Sequence, residues 1–163
     1  MILTTLPLQS DELEVVPLFR ESLKLALPLE HPLASKAQIA GADLVGEAVL
    51  TIDEQHLYHR QVRALCESLG ATVNRDYEGT SLDTLRQMVV MGMGITFLPS
   101  LYVASEIGDS DTLRVTDVKG VNMNRDHALV WRRRSPARVF FRQLADTMKA
   151  IADKHLAEEV TLL

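Results

Sequence analysis

Between residues 53 and 99 the chain reads as helix, strand, helix and strand in turn, and that alternation limits its fold more than any other feature. Residues 58–69 place Val62, Leu65, Cys66 and Leu69 on one helical stripe. Residues 71–77 are strand-like, and residues 82–91 form a second amphipathic pattern carried by Leu82, Leu85, Val89 and Val90. Thr80 and Ser81 precede this second helix and Asp83 falls in its first turn. A hydroxyl there accepts from unpaired amides, and a carboxylate complements the helix dipole. Gly92 and Gly94 end the helix, residues 95–98 form the next strand, and Pro99 stops it. Such alternation predicts an α/β fold, with a parallel or mixed sheet covered by helices on both sides.

The flanks extend the pattern. Residues 2–6 read as a short buried strand and residues 9–12 as a polar loop. Residues 14–19 and 22–27 are two β-rich runs, the second almost continuously apolar, as suits a strand covered on both faces. Pro28 and Pro32 bracket His31, which reads as a loop histidine because no second metal ligand stands at ligand spacing. Residues 38–44 read as a short helical or turn segment. Residues 48–52 are a strand that delivers Asp53, Glu54, Gln55 and His56 to its C-terminal end, where open α/β sheets bind ligands. Beyond Pro99, residues 98–104 suggest a turn or short helix, 107–111 a polar loop, 113–118 a strand, 120–124 a loop and 127–131 a strand. Ser135 followed by Pro136 announces a long C-terminal helix with Val139, Leu144, Met148, Ile151 and Leu156 as its buried stripe. The tail, EEVTLL, is expected to fray or to pack on a partner.

Charge and composition exclude several classes. A net charge of −5 is not that of a domain gripping nucleic acid by itself, and the local Arg132–Arg133–Arg134 cluster reads as a solvated strand end. Cys66 is the single cysteine, so no intramolecular disulfide can form, in keeping with a reducing cytoplasm. No segment is long and apolar enough to span a bilayer. Asp53, Glu54, His56 and His59 form a D-E-x-H-x-x-H cluster whose histidines are three apart, the wrong interval for helical zinc capture. The Gly92-Met93-Gly94 turn lacks the lysine and hydroxyl of a phosphate loop, and Ser81 lies in no nucleophile elbow. These readings leave no catalytic residue, no metal site and no cofactor.

The run TSLDTLRQMVVMGMGITFLPS resembles the effector-domain signature of LysR-type transcriptional regulators, in which a Thr/Ser-capped helix, a Gly-x-Gly-Ile turn and a Leu-Pro follow in this order. The neighbouring IDEQHLYHRQVRALCESLGA is similar to the peroxide-sensing OxyR branch, and the nearest type by name is the LsrB type of rhizobia. The resemblance implies two Rossmann-like lobes, as in periplasmic binding proteins. Lobe I would comprise residues 1–20 and 127–163 and be incomplete, and lobe II residues 21–126. A winged helix-turn-helix would be absent from this chain. It also implies a cytoplasmic homodimer or tetramer that contacts DNA through that absent N-terminal domain. RNA polymerase would be a further partner, and a small molecule or peroxide the effector, with no membrane involved.

The same resemblance locates the candidate site. His56 and Cys66 stand where the branch has its histidine and resolving cysteine, while Leu57 stands at the reactive-cysteine position. Leucine forms neither a sulfenic acid nor a disulfide, so the two-cysteine switch is missing. Cys66 then has two readings. One is an inert buried hydrophobe; the other is a redox thiol using a cysteine elsewhere, aided by Arg63 or His59. Thr80 and Ser81 serve as caps in the plain structural reading. As a helix N-terminus they also suit a carboxylate, and many relatives hold organic acids there, so the resemblance makes Thr80, Ser81 and His56 effector-binding residues, with Thr4 and Thr5 on an opposing wall. The reading is a regulatory, effector-sensing domain linked to oxidative stress or redox response, signalling by subunit rearrangement, and not an enzyme. A periplasmic-type solute-binding protein and a cysteine-dependent enzyme are the alternatives.

Overall fold

The structure, a computed structural model, describes residues 1–8, 10–108 and 111–163. Residues 9, 109 and 110, which fall in the polar loops expected at 9–12 and 107–111, lie outside the described residues. In chain order the elements are β1 (Ile2–Thr5), β2 (Leu13–Pro28), β3 (Ile39–Ala40), β4 (Ala48–Ile52), α1 (Leu57–Leu69), β5 (Thr72–Gly79) and α2 (Leu82–Val90). Then come β6 (Thr96–Pro99), α3 (Ser100–Tyr102), β7 (Leu113–Thr116), β8 (Val118–Lys119), β9 (Asn124–Arg132), α4 (Arg138–His155) and β10 (Val160–Leu162). The chain divides into two compact units, Met1–Ser22 with Asn124–Leu163, and Leu23–Met123.

In the first unit the strands run β1-β9-β2-β10, every pair antiparallel. The expected pair of runs at 14–19 and 22–27 is one 16-residue strand, β2, whose ladder to β9 slips only between Pro17 and Phe19. Proline lacks the amide that a continuous ladder needs, so the slip falls beside it. Three expectations change here. β1 is an edge strand with Ile2 and Leu3 more than half exposed, not a buried one, because it pairs on one side only. The tail does not fray: β10 pairs Val160 with Glu21 of β2. α4 starts at Arg138, after a turn in which Ser135 Oγ accepts from Ala137 N at 3.3 Å. Its buried residues are Ala145 and Ala152, whereas Val139 and Ile151 are exposed. Leu144, Met148 and Leu156 are half-buried beside them; small side chains let a helix backbone sit close to its neighbours, so a pattern counting only large apolar residues misses the most buried positions.

The second unit is the alternating one. β4 and β5 pair in parallel, and Ile95 bridges Val49 in parallel on the other side of β4. The second half of β2 pairs antiparallel with β6 and β7, so the sheet content is mixed. α1 carries Tyr58, His59, Val62 and Cys66 inward, while Leu65 and Leu69 are only partly buried. α2 buries Leu85, Met88 and Val89, with Leu82 and Val90 packed at its margins. Tyr58 sends its hydroxyl to the Phe97 carbonyl, and Thr96 Oγ1 donates to Leu50 O at 2.8 Å, so both buried hydroxyls are satisfied. The segment expected as one strand at 113–118 is two, β7 and β8, and the turn at 38–44 includes the short β3 paired with β8.

α1 ends on Gly70, whose φ of 69° is left-handed and whose amide donates back to Cys66 O. A side chain is strained in that conformation, so Gly70→Ala is expected to cost about 1–2 kcal/mol, read from urea unfolding midpoints.

Candidate functional site

The polar end of β4 is built by short-range bonds. Asp53 Oδ1 accepts from Gln55 N at 2.8 Å, and His56 N donates to Asp53 O at 3.1 Å, closing a turn that presents His56 as the N-cap of α1. The His56 ring makes no capping bond. Asp53, Gln55, His56 and Thr80 line one open pocket of about 490 Å³. The expected residues His56 and Thr80 therefore meet, although the whole of α1 and β5 lies between them in sequence.

Ser81 caps α2, its Oγ accepting from Thr84 N at 3.2 Å, and Thr80 Oγ1 lies 3.1 Å from Thr84 Oγ1. Nearby, Tyr102 donates to Asp83 Oδ1 at 2.7 Å. Burial and that bond push the Tyr102 phenol up to about 12, so it stays a donor at neutral pH. Thr4 and Thr5 belong to β1 of the first unit, in register with Ala128 and His127. Thr5 is buried and Thr4 half-buried.

Cys66 is 1% exposed, on the inner face of α1. Burial pushes its thiol up to about 11. Leu57 opens the same helix, nine residues earlier, so roughly 13 Å of helix axis separates the two positions. That exceeds the reach of a disulfide about twofold. His59 lies on the inner face of α1. It is 9% exposed, and its Nδ1 lies 3.0 Å from Ile52 O. His31 is a structural histidine whose Nδ1 accepts from Leu33 N at 3.2 Å, capping a short helical turn.

Two polar features carried no sequence signal. Glu21 is 2% exposed in β2, with its Oε2 2.7 Å from His127 Nε2 and 3.8 Å from Arg125 Nη1. On the opposite face Arg20 grips Asp126 with two bonds of 2.6 and 2.8 Å, holding that carboxyl below its usual range. Both clusters depend on the β2–β9 register, which no local pattern reveals. Among the described residues no group of three or more His, Cys, Asp or Glu side chains is placed to hold a metal ion, and no helix is long and apolar enough to cross a membrane.

Comparison with known proteins gives this geometry a family. The model described as LysR substrate binding domain matches residues 1–152. The hydrogen peroxide-inducible genes activator of Pectobacterium carotovorum subsp. carotovorum is 38% identical over 141 residues, covering 86% of this chain and 46% of that protein. The DNA-binding transcriptional dual regulator OxyR of Escherichia coli K12 is 35% identical, over 94% of this chain and 50% of its own length. This chain thus spans about half the length of the curated relatives it matches. The crystal structure of the reduced form of OxyR superposes with a TM-score of 0.80 at 34% identity, over 94% of this chain and 71% of that one. The oxidised form gives 0.79 at 35% identity, over 94% and 72%. The mixed α/β architecture is thus that of the OxyR regulatory domains, and the chain belongs to the LysR substrate binding domain family as an OxyR-like member.

Proposed function

We propose that this chain is the signal-receiving part of a LysR-type regulator of the oxidative-stress response, and that its signal is a small anionic effector held at His56, Thr80 and Ser81. The regulator acts in the cytoplasm as a homodimer or tetramer, reaches DNA and RNA polymerase through other parts, and performs no catalysis. The two compact units are the family's two lobes. Effector binding changes subunit packing, which requires tighter binding to one arrangement than to the other.

The observation that carries this reading is the pocket in which His56 and Thr80 converge beside the capped start of α2. Free amides and an uncommitted imidazole suit a carboxylate. A buried Cys66 with a raised pKa argues against the thiol as the point of first contact with an oxidant. The redox reading keeps one support, since Cys66 also borders a groove between α1 and β5.

Titration of the full-length regulator with succinate and benzoate, followed by calorimetry, tests the proposal. His56→Ala and Thr80→Val are expected to weaken binding about tenfold at unchanged melting temperature. Ser81→Ala is expected to weaken binding and also to cost about 1 kcal/mol of stability through loss of the cap. Stoichiometric oxidation of Cys66 at low peroxide, seen by intact mass, together with no organic-acid binding, would overturn the reading in favour of a thiol sensor.

A further inference from the structure

The second unit contains another polar cavity, an open groove of about 860 Å³ between α1 and β5. His59, Arg63 and Cys66 lie along its α1 wall, Arg75 and Glu78 along its β5 wall, and Glu54 closes one end. Two buried groups on this side of the sheet, His59 in the groove wall and Thr51 in β4, have unused hydrogen-bonding capacity. His59 is nine-tenths buried, and its Nδ1 is committed to the Ile52 carbonyl. A carbonyl only accepts, so Nδ1 carries the hydrogen, and in the neutral ring Nε2 keeps its lone pair. No described residue bonds that nitrogen.

Thr51 is fully buried, and its Oγ1 has no partner among the described residues. Strand parity locates it. Thr51 pairs with Glu78, and Ile52 with Gly79. A Cβ on Gly79 would lie 2.9 Å from Leu85 of α2, so Gly79 and Ile52 face α2. Thr51 and Glu78, one residue earlier, face the other side of the sheet, where Glu78 lines the groove and Thr51 stays buried outside its lining. An orphaned buried hydroxyl costs free energy unless something bonds it.

The rim is equally unspent. Arg63 pairs with Glu67 at 3.0 Å, but Glu54, Glu78 and Arg75 have no partner among the described residues. The groove therefore offers two free carboxylates and one imidazole lone pair, against a single free guanidinium. That set accepts from an ammonium group and pairs with one carboxylate.

We propose that the α1–β5 groove is a binding site for a small zwitterion of the amino-acid class. The ammonium meets Glu54, Glu78 and His59 Nε2, and the carboxylate meets Arg75. This site is separate from the His56–Thr80 pocket, and its proposal does not rest on that one.

Calorimetric titration of this chain with L-lysine, L-serine, L-glutamate, putrescine and succinate tests it. The amino acids are expected to bind saturably, L-lysine tighter than L-glutamate because the charged lining (Glu54, Glu67 and Glu78 against Arg63 and Arg75) has an acid excess. Putrescine, which lacks the carboxylate, and succinate, which lacks the ammonium, are expected to bind at least about tenfold more weakly. Glu78→Gln and Arg75→Gln change exposed side chains and leave the fold intact, and each is expected to weaken L-lysine about tenfold, while Thr80→Ala leaves it unchanged. Thr51→Val is expected to raise the melting temperature of the protein, since it removes an unpartnered buried hydroxyl. Absence of binding by all three amino acids overturns the proposal. So does equal binding of putrescine and L-lysine, or binding that survives both rim variants or is lost with Thr80→Ala.

Discussion

Cys66 in the folded chain is expected to react with iodoacetamide at pH 7 at least about 100-fold more slowly than in the urea-unfolded chain. The thiolate is the nucleophile, and a thiol that titrates at about 11 is ionised at pH 7 to roughly one part in ten thousand. An unfolded cysteine, near 8.5, is ionised to a few parts in a hundred. Exclusion of the reagent from a side chain that is 1% exposed slows the reaction further. The same shift makes stability depend on pH. Because burial raises the folded value, the preference for the neutral thiol is fully present below about pH 8.5 and is lost as pH rises through about 11. The loss is on the order of 3 kcal/mol. Cys66→Ala removes this component, so urea midpoints of parent and variant should converge between pH 8.5 and 11. Labelling as fast as in urea would show that α1 opens readily, and would return Cys66 to the list of sensors.

Glu21→Ala is expected to destabilise the first unit by about 3–5 kcal/mol, because it leaves His127 and Arg125 facing an emptied, buried acceptor position. His127 also stacks on Phe19, with ring centroids 4.9 Å apart, so the imidazole cannot easily swing out to water. Glu21→Gln keeps the volume and one acceptor, and should cost clearly less. Urea unfolding of the two variants measures the difference. Equal and small losses would mean that the carboxylate is solvated and that the cluster contributes no more than an exposed pair.

Much of the second unit was legible residue by residue. The periods of α1 and α2, the Ser81 cap and the strand ending at Asp53 all arise within a few residues of chain. Steric and hydrogen-bonding rules act at that range. The family motif between Thr80 and Ser100 lies in the same stretch. The parts of the candidate site were legible as a strand end at His56 and a cap at Thr80 and Ser81, and only the family resemblance made them effector-binding residues. Asp53 and Gln55 joined the pocket wall only once the turn was closed by their own bonds.

What the sequence determined by itself was local: an alternating α/β chain with one cysteine, a capped α2, and a leucine where a peroxide sensor has its reactive thiol. Tertiary structure decided the rest. It merged two β-rich runs into β2, made the tail a strand, and turned α4 so that two alanines are its most buried residues while Val139 and Ile151 stay exposed. It also buried Glu21 against His127 and set His59 in the wall of the α1–β5 groove. Each of these depends on pairing between residues distant in sequence. Strand register and burial are properties of the partner surface, and no window along the chain contains that partner.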